Sequence, residues 1–221
     1  MKLFFSALTK FLSGLVLVGV MLFLPAGTFN YVYGRLFIAL LFGPMLIMGA
    51  VMLIKSPELL KKRLDAKEKQ GAQKGVVALS GLMFVGGFVV AGLDFRFGWS
   101  DMPLWVTVTA SAVLLAAYAL YAEVMRENAY LSRTVKVEDG QKVVDTGLYG
   151  IVRHPMYAVT IWLFLAIPVV LGSWWSLLCF APYPVIMAVR IINEEKLLTE
   201  QLDGYAEYKK KVKYRLIPFI W

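Results

Sequence analysis

The sequence predicts an all-α integral membrane protein of about six transmembrane helices, five being possible. Three observations carry this. Of 221 residues, 59% are hydrophobic and only 17% are charged, against about 45–50% and 25% in soluble domains. Mean hydropathy is +0.67. Apolar runs of membrane-crossing length recur along the chain, and the cations fall between alternate pairs of them. Disorder is excluded by the apolar content, and a soluble multi-domain protein lacks the polar surface it needs. The net charge of +8 reads as loops facing anionic lipid headgroups, with no nucleic-acid partner expected. Cys179 is the single cysteine and His154 the single histidine. An intramolecular disulfide, a cysteine cluster and a multi-histidine metal site are therefore excluded.

A bilayer core needs roughly 20 apolar residues in a helix. The first segment runs from about Leu8 to Leu24 and stops at Pro25-Ala26-Gly27. It lacks a convincing cleavage site, and further spans follow, so it reads as a retained helix. The others run from about Gly34 to Ile54, Val76 to Leu93, Pro103 to Val124, Met156 to Leu171 and Trp174 to Ile192. Pro182 and Pro184 should kink the last. Gly172-Ser173 leaves almost no loop before it, which predicts a tight helical hairpin.

Charge fixes the expected orientation. Lys2 and Lys10 lie at the N-terminus. Lys55, Lys61, Lys62, Arg63, Lys67, Lys69 and Lys74 lie between spans two and three. Arg126, Arg133, Lys136, Lys142 and Arg153 lie between four and five, and Lys196, Lys209, Lys210, Lys211, Lys213 and Arg215 follow the sixth. Only Arg35 and Arg96 sit on the other side. The positive-inside rule then gives both termini in the cytoplasm. The expected location is a plasma membrane, the inner membrane of a bacterium.

Ser56-Pro57-Glu58 is a helix start, with Leu59, Leu60 and Leu64 on one face, and reads as an interfacial amphipathic anchor. Leu198, Leu202, Tyr205, Tyr208 and Val212 recur at steps of three and four. They predict an amphipathic cytoplasmic helix over Asn193 to Tyr214, lying on the interface. Asp139-Gly140 marks a turn. His154 and Tyr157 share a face where a helix opens, with Pro155 in its first turn. Arg190 and Glu194 share a face at the end of span six. Alone, each cluster reads as interfacial snorkelling or a basic boundary. Together, at the same side of hairpin-linked spans, they suggest a site.

At these residues the sequence resembles the isoprenylcysteine carboxyl methyltransferase-like family of integral membrane methyltransferases. The pattern is Gly147-x-Tyr149-x-x-x-Arg153-His154-Pro155-x-Tyr157, then Arg190-x-x-x-Glu194-Glu195-x-x-Leu198, then Tyr205-x-x-Tyr208-x-x-x-Val212 and Pro218. Asn128-x-Tyr130 and Val143-Val144 also fit. The resemblance covers residues 123–221, the methyltransferase-like core of a single membrane domain (1–221). Residues 1–95 carry no motif. It implies S-adenosyl-L-methionine as cofactor, bound from the cytoplasm by Gln141, Lys142, Val143, Val144, Tyr149, His154, Pro155, Met156, Tyr157 and Glu194. Arg190, Glu194, Glu195 and Arg153 would carry the chemistry, with Arg190 at the substrate side. The acceptor would be a lipophilic or lipidated small molecule, such as a prenyl-cysteine carboxylate. A carboxylate is ionised at pH 7 and needs no general base. Arg190 could orient it bidentately, whereas an amine would need Glu194 or Glu195 as base.

Two other readings remain open. The ending Tyr214-Arg215-Leu216-Ile217-Pro218 also resembles that of membrane sterol reductases, which would imply NADPH, but those lack the paired glutamates. A lipid-binding or transport protein would suit the motif-free first half, although spans one to three hold few polar groups.

Overall fold

The structure, a computed structural model, describes residues 1–65, 71–132, 134–135 and 137–221. Lys67, Lys69, Arg133 and Lys136, counted above among the loop cations, lie outside the described residues. Backbone polar groups in hydrocarbon must be satisfied within the segment, so each long apolar run closes into helix. Among the described residues the helices are α1 (Lys2–Ala26), α2 (Val32–Lys55), α3 (Pro57–Leu64), α4 (Gly71–Phe97), α5 (Leu104–Glu127), α6 (Pro155–Val170), α7 (Trp174–Phe180), α8 (Tyr183–Gln201) and α9 (Tyr205–Lys211), with a 3-10 turn at Gly147–Gly150.

Among the described residues, five stretches are long and apolar enough to cross a membrane: α1, α2, Gln73–Phe97, α5 and Trp174–Gln201. The short fifth segment, α6, has 16 residues. At 1.5 Å per residue it spans about 24 Å, less than a bilayer core of about 30 Å. All six anticipated segments are thus helical, and five have full span length.

Two expectations need correction. The kink in the sixth segment is a break. α7 ends at Phe180 and α8 restarts at Tyr183, because Pro182 and Pro184 cannot supply the amides that would continue the ladder. The amphipathic helix over Asn193 to Tyr214 is also not continuous. Its first half is the end of α8, the chain turns at Gly204 (φ 81°), and α9 stops at Lys211. Glycine adopts that left-handed conformation without steric penalty.

Lipid tails are as apolar as leucine, so helix association rests on close packing and hydrogen bonds. α5 packs along α6, and α4 packs against both α1 and α7. Gly92 permits the α1–α4 approach, since a Cβ there would lie 2.5 Å from the Leu22 carbonyl oxygen. Phe84 stands edge-on to Phe164 and Phe180, and Phe164 to Tyr183, in the bundle centre. The anticipated hairpin is present, its turn held by Ser173 and Asp94. Asp94 accepts from the Ser100 amide and hydroxyl at 2.7 Å each and from the Ser173 hydroxyl, while Tyr31 Oη donates to the Leu171 carbonyl at 2.6 Å.

The amphipathic helix α3 does more than lie at an interface. Leu59 packs against Val124, Met125, Leu131 and Tyr149. Lys62 Nζ bonds the Glu138 carboxylate and the Ala129 carbonyl, and Arg63 donates to Tyr121 Oη. α3 thereby backs the irregular segment that follows α5.

Candidate functional site

The site is built where three pieces of chain meet. These are the segment from Asn128 to His154, the start of α6, and the end of α8 with the tail beyond it. Pro155 at the first position of α6 has no amide to lose and a φ already suited to helix. It biases the residue before it towards extended backbone. The Arg153 and His154 amides consequently pair with the carbonyls of Tyr214 and Arg215, both at 2.9 Å.

Side chains tighten this junction. Glu195 Oε1 accepts from Arg153 Nε at 2.6 Å and lies 3.3 Å from His154 Nε2. Its Oε2 accepts from Arg215 Nε at 2.9 Å. Arg153 Nη1 also donates to the Val212 and Lys213 carbonyls at 2.7 and 2.8 Å. Glu195 is 3% and Arg153 7% exposed. A buried carboxylate is tolerable only with such partners. With both oxygens engaged, Glu195 anchors the tail to α6.

One residue earlier on the helix, Glu194 points elsewhere. Arg190 Nε donates to Tyr157 Oη at 2.9 Å, and that hydroxyl donates to Glu194 Oε2. Arg190 and Glu194, expected to share a face, are thus bridged by a tyrosine. Gln73 on α4 clasps the arginine, its Nε2 donating to the Arg190 carbonyl at 3.2 Å and its Oε1 accepting from Nη1 at 3.4 Å.

The irregular segment is organised by capping. Glu127 accepts from the Leu148 amide at 3.1 Å, and a Cβ on Gly147 (φ +50°) would overlap that carboxylate. Asn128 Nδ2 donates to Tyr149 Oη at 3.0 Å, and Tyr208 Oη donates to the Tyr149 carbonyl at 2.7 Å. The turn expected at Asp139-Gly140 is present, with Gly140 at φ 69°.

These pieces border a narrow cleft with a cavity volume of ≈ 100 Å³, below the range of about 300–1,000 Å³ usual for small-molecule sites. Gln141, Lys142, Val143, Val144, Tyr149, Arg153, His154, Met156, Tyr157 and Glu194 all border it. Pro155, Arg190 and Glu195 are not among its lining residues. Pro155 starts the helix, Arg190 lies behind Tyr157, and Glu195 is turned to the tail. Leu198, Leu202, Tyr205 and Tyr208 form the remaining wall. Their periodic apolar face, expected on the membrane interface, covers the cleft instead, because the Gly204 turn folds α9 back over Val137 and Val143. Tyr205 is 4% exposed, and its hydroxyl is buried without a hydrogen-bond partner among the described residues. Burial raises the Tyr205 phenol above its usual pKa, as do the Glu195 and Glu194 charges. The Asp145 carboxyl is held below its usual range by the Lys211 ammonium at 2.6 Å.

Gln73 was not legible as a site residue, since the spacing of the apolar run says nothing of what the preceding turn faces. The phenol-rich face of Tyr205 and Tyr208 was visible, but its period does not distinguish a lipid surface from a cleft.

Fold and site define a polytopic helical membrane protein with a polar cleft at one end of its bundle. The chain matches the isoprenylcysteine carboxyl methyltransferase (ICMT) family over residues 107–200. It superposes on the eukaryotic intramembrane Ras methyltransferase ICMT with a TM-score of 0.62 at 16% identity, over 97% of this chain and 77% of that one. It is 24% identical over 144 residues to the Delta(14)-sterol reductase of Methylotuvimicrobium alcaliphilum, covering 55% of this chain and 32% of that protein. It is 30% identical over 97 residues to the uncharacterized protein YpbQ of Bacillus subtilis, covering 43% of this chain and 58% of that protein. The matches thus span about a third and under two thirds of those relatives.

Proposed function

We propose that this protein transfers a methyl group from S-adenosyl-L-methionine to a lipophilic acceptor, with its cleft on the cytoplasmic side of a bacterial inner membrane. The observation that carries the reading is the convergence of Gln141 to Val144, Tyr149, His154, Met156, Tyr157 and Glu194 on one cleft. Sorting of the cations towards the segments around that cleft supports the orientation.

The donor set suits this cofactor. Glu194 is a partly exposed carboxylate able to accept from an ammonium or a ribose diol. His154 and nearby amides can hold a carboxylate, and the rings of Tyr149 and Tyr157 offer faces to a cation. The buried Tyr205 hydroxyl is a donor in want of an acceptor. When bound, the cofactor supplies an electrophilic methyl group on a sulfonium. The protein's part is then positioning and exclusion of water. Arg190, fixed by Tyr157 and Gln73, provides the positive charge beside which an acceptor carboxylate is oriented. Glu195 serves structure and not proton transfer, since both its oxygens are engaged.

Calorimetry with S-adenosylhomocysteine on folded, detergent-purified protein tests the reading. Saturable binding is expected, and its absence overturns the proposal. Incubating the protein with radiolabelled methyl donor and native membrane extract then identifies the acceptor. The sterol-reductase match favours one alternative, an NADPH-dependent lipid reductase. Saturable NADPH binding without S-adenosylhomocysteine binding would establish it.

A further inference from the structure

We infer that the Tyr205 hydroxyl is a ligand-binding group that donates a hydrogen bond to the amino-acid end of the S-adenosyl compound. This rests on the reading of the cleft given above. Four other tyrosines border the cleft, and each has its hydroxyl engaged. Tyr130 donates to the Gly140 carbonyl at 3.4 Å, Tyr149 accepts from Asn128, Tyr157 bridges Arg190 and Glu194, and Tyr208 donates to the Tyr149 carbonyl. Tyr205 alone among them has a buried, unpartnered oxygen. Buried polar groups are almost always satisfied, and an exception calls for an explanation.

Tyr205 is not a loose side chain awaiting a contact. It packs with Leu202, Tyr208 and Val212 in a buried cluster, and its ring meets that of Tyr208 at 5.7 Å. Its hydroxyl is therefore presented by a fixed frame. The phenol feels the charges of Glu195, Glu194 and Arg153, and Arg153, His154 and Glu194 border the same cleft. The charged end of a ligand belongs where the protein's charges gather. In S-adenosyl compounds the zwitterionic amino acid is that end, whereas adenine and ribose are neutral. Its carboxylate would accept from Tyr205, and its ammonium would donate to Glu194. Burial and the neighbouring carboxylates keep the phenol protonated, so it can only enter as a donor to such a group.

The test compares wild type, Tyr205→Phe and Tyr208→Phe, all in detergent. Ligand-free melting is measured first. Tyr205→Phe should melt no lower than wild type, because it deletes an unsatisfied group. Tyr208→Phe should melt lower, because it breaks an internal bond. Calorimetry follows with S-adenosylhomocysteine and, by competition, with 5′-methylthioadenosine, which lacks the amino-acid end. Tyr205→Phe should weaken the first about 10- to 150-fold, the range for one hydrogen bond to a charged group, and leave the second unchanged. Unchanged affinity for S-adenosylhomocysteine, equal weakening of both ligands, or a lower ligand-free melting temperature each overturns the inference. If wild type binds no S-adenosylhomocysteine, the reading of the cleft itself fails and the inference falls with it. Tight binding by both wild type and Tyr205→Phe sinks the inference alone.

Discussion

Replacing Glu195 by alanine removes a carboxylate shared by three partners and leaves two guanidinium groups without their common counter-charge. The magnitude follows from burial. The Arg153 and Glu195 side chains are 6% and 4% exposed and 2.6 Å apart. Breaking one side of such a buried pair costs about 3–5 kcal/mol. The Arg215 side chain is 31% exposed, so solvent screens its share to under about 1 kcal/mol. The sum is dominated by Arg153. For a chain of this size 1 kcal/mol shifts Tm by about 2–4 °C, so Glu195→Ala should melt about 6–20 °C lower in detergent. Glu195→Gln keeps one acceptor and should fall between. Arg153→Ala placed on Glu195→Ala should cost less than the sum of the two single changes, because the pair shares one interaction, while the Arg153 bonds to the Val212 and Lys213 carbonyls are lost as well. Glu195 also ties the tail to α6, so trypsin should cut faster after Lys213 and Arg215 in the variant. A fall below about 2 °C with unchanged cleavage would refute the assignment of Glu195 as the tail's anchor.

Other substitutions probe the cleft's supports. Gly147→Ala places a Cβ on a residue at φ +50° against the Glu127 carboxylate. The left-handed backbone costs about 1–2 kcal/mol, and the displaced bond to the Leu148 amide adds to it. Lower stability and weaker S-adenosylhomocysteine binding are expected together, as Tyr149 shifts, and wild-type melting and binding would refute this. Gln73→Leu leaves the Arg190 guanidinium short of an acceptor and should cost about 1–3 kcal/mol, read as a Tm drop; an unchanged Tm counts against the clasp. Asp145 has a depressed carboxyl pKa owing to Lys211, so its stabilisation is present above the unfolded carboxylate pKa and lost as pH falls through the folded one. Wild type should melt slightly above Asp145→Asn at pH 7, and the two curves should converge in acid. A constant gap down to pH 2 would contradict the pairing.

Much of the fold was written in the sequence. A run of apolar residues in a bilayer has no alternative to helix, so the six segments were legible from hydropathy alone. Gly27 ends α1 and Pro155 starts α6 by backbone rules that act within a few residues. The paired motifs around Arg153, His154, Arg190 and Glu194 pointed to one end of the bundle, because their positions along the spans are fixed by chain direction.

What the sequence by itself determined, then, is that helices form, where they stop and which end carries the polar residues. Each of these follows from local backbone geometry and the cost of burying polar groups in lipid. Only the tertiary structure decided which of two adjacent glutamates faces the cleft. Glu194 and Glu195 are one residue and about 100° apart on a helix, and their roles depend on what packs against each side. The same holds for Leu198, Leu202, Tyr205 and Tyr208. Their spacing requires an apolar neighbour but does not say whether it is lipid or protein. The turn at Gly204 and the tail's pairing with Arg153 and His154 settle that these residues wall the cleft. Contacts between residues some 60 positions apart have no periodic trace in a single chain.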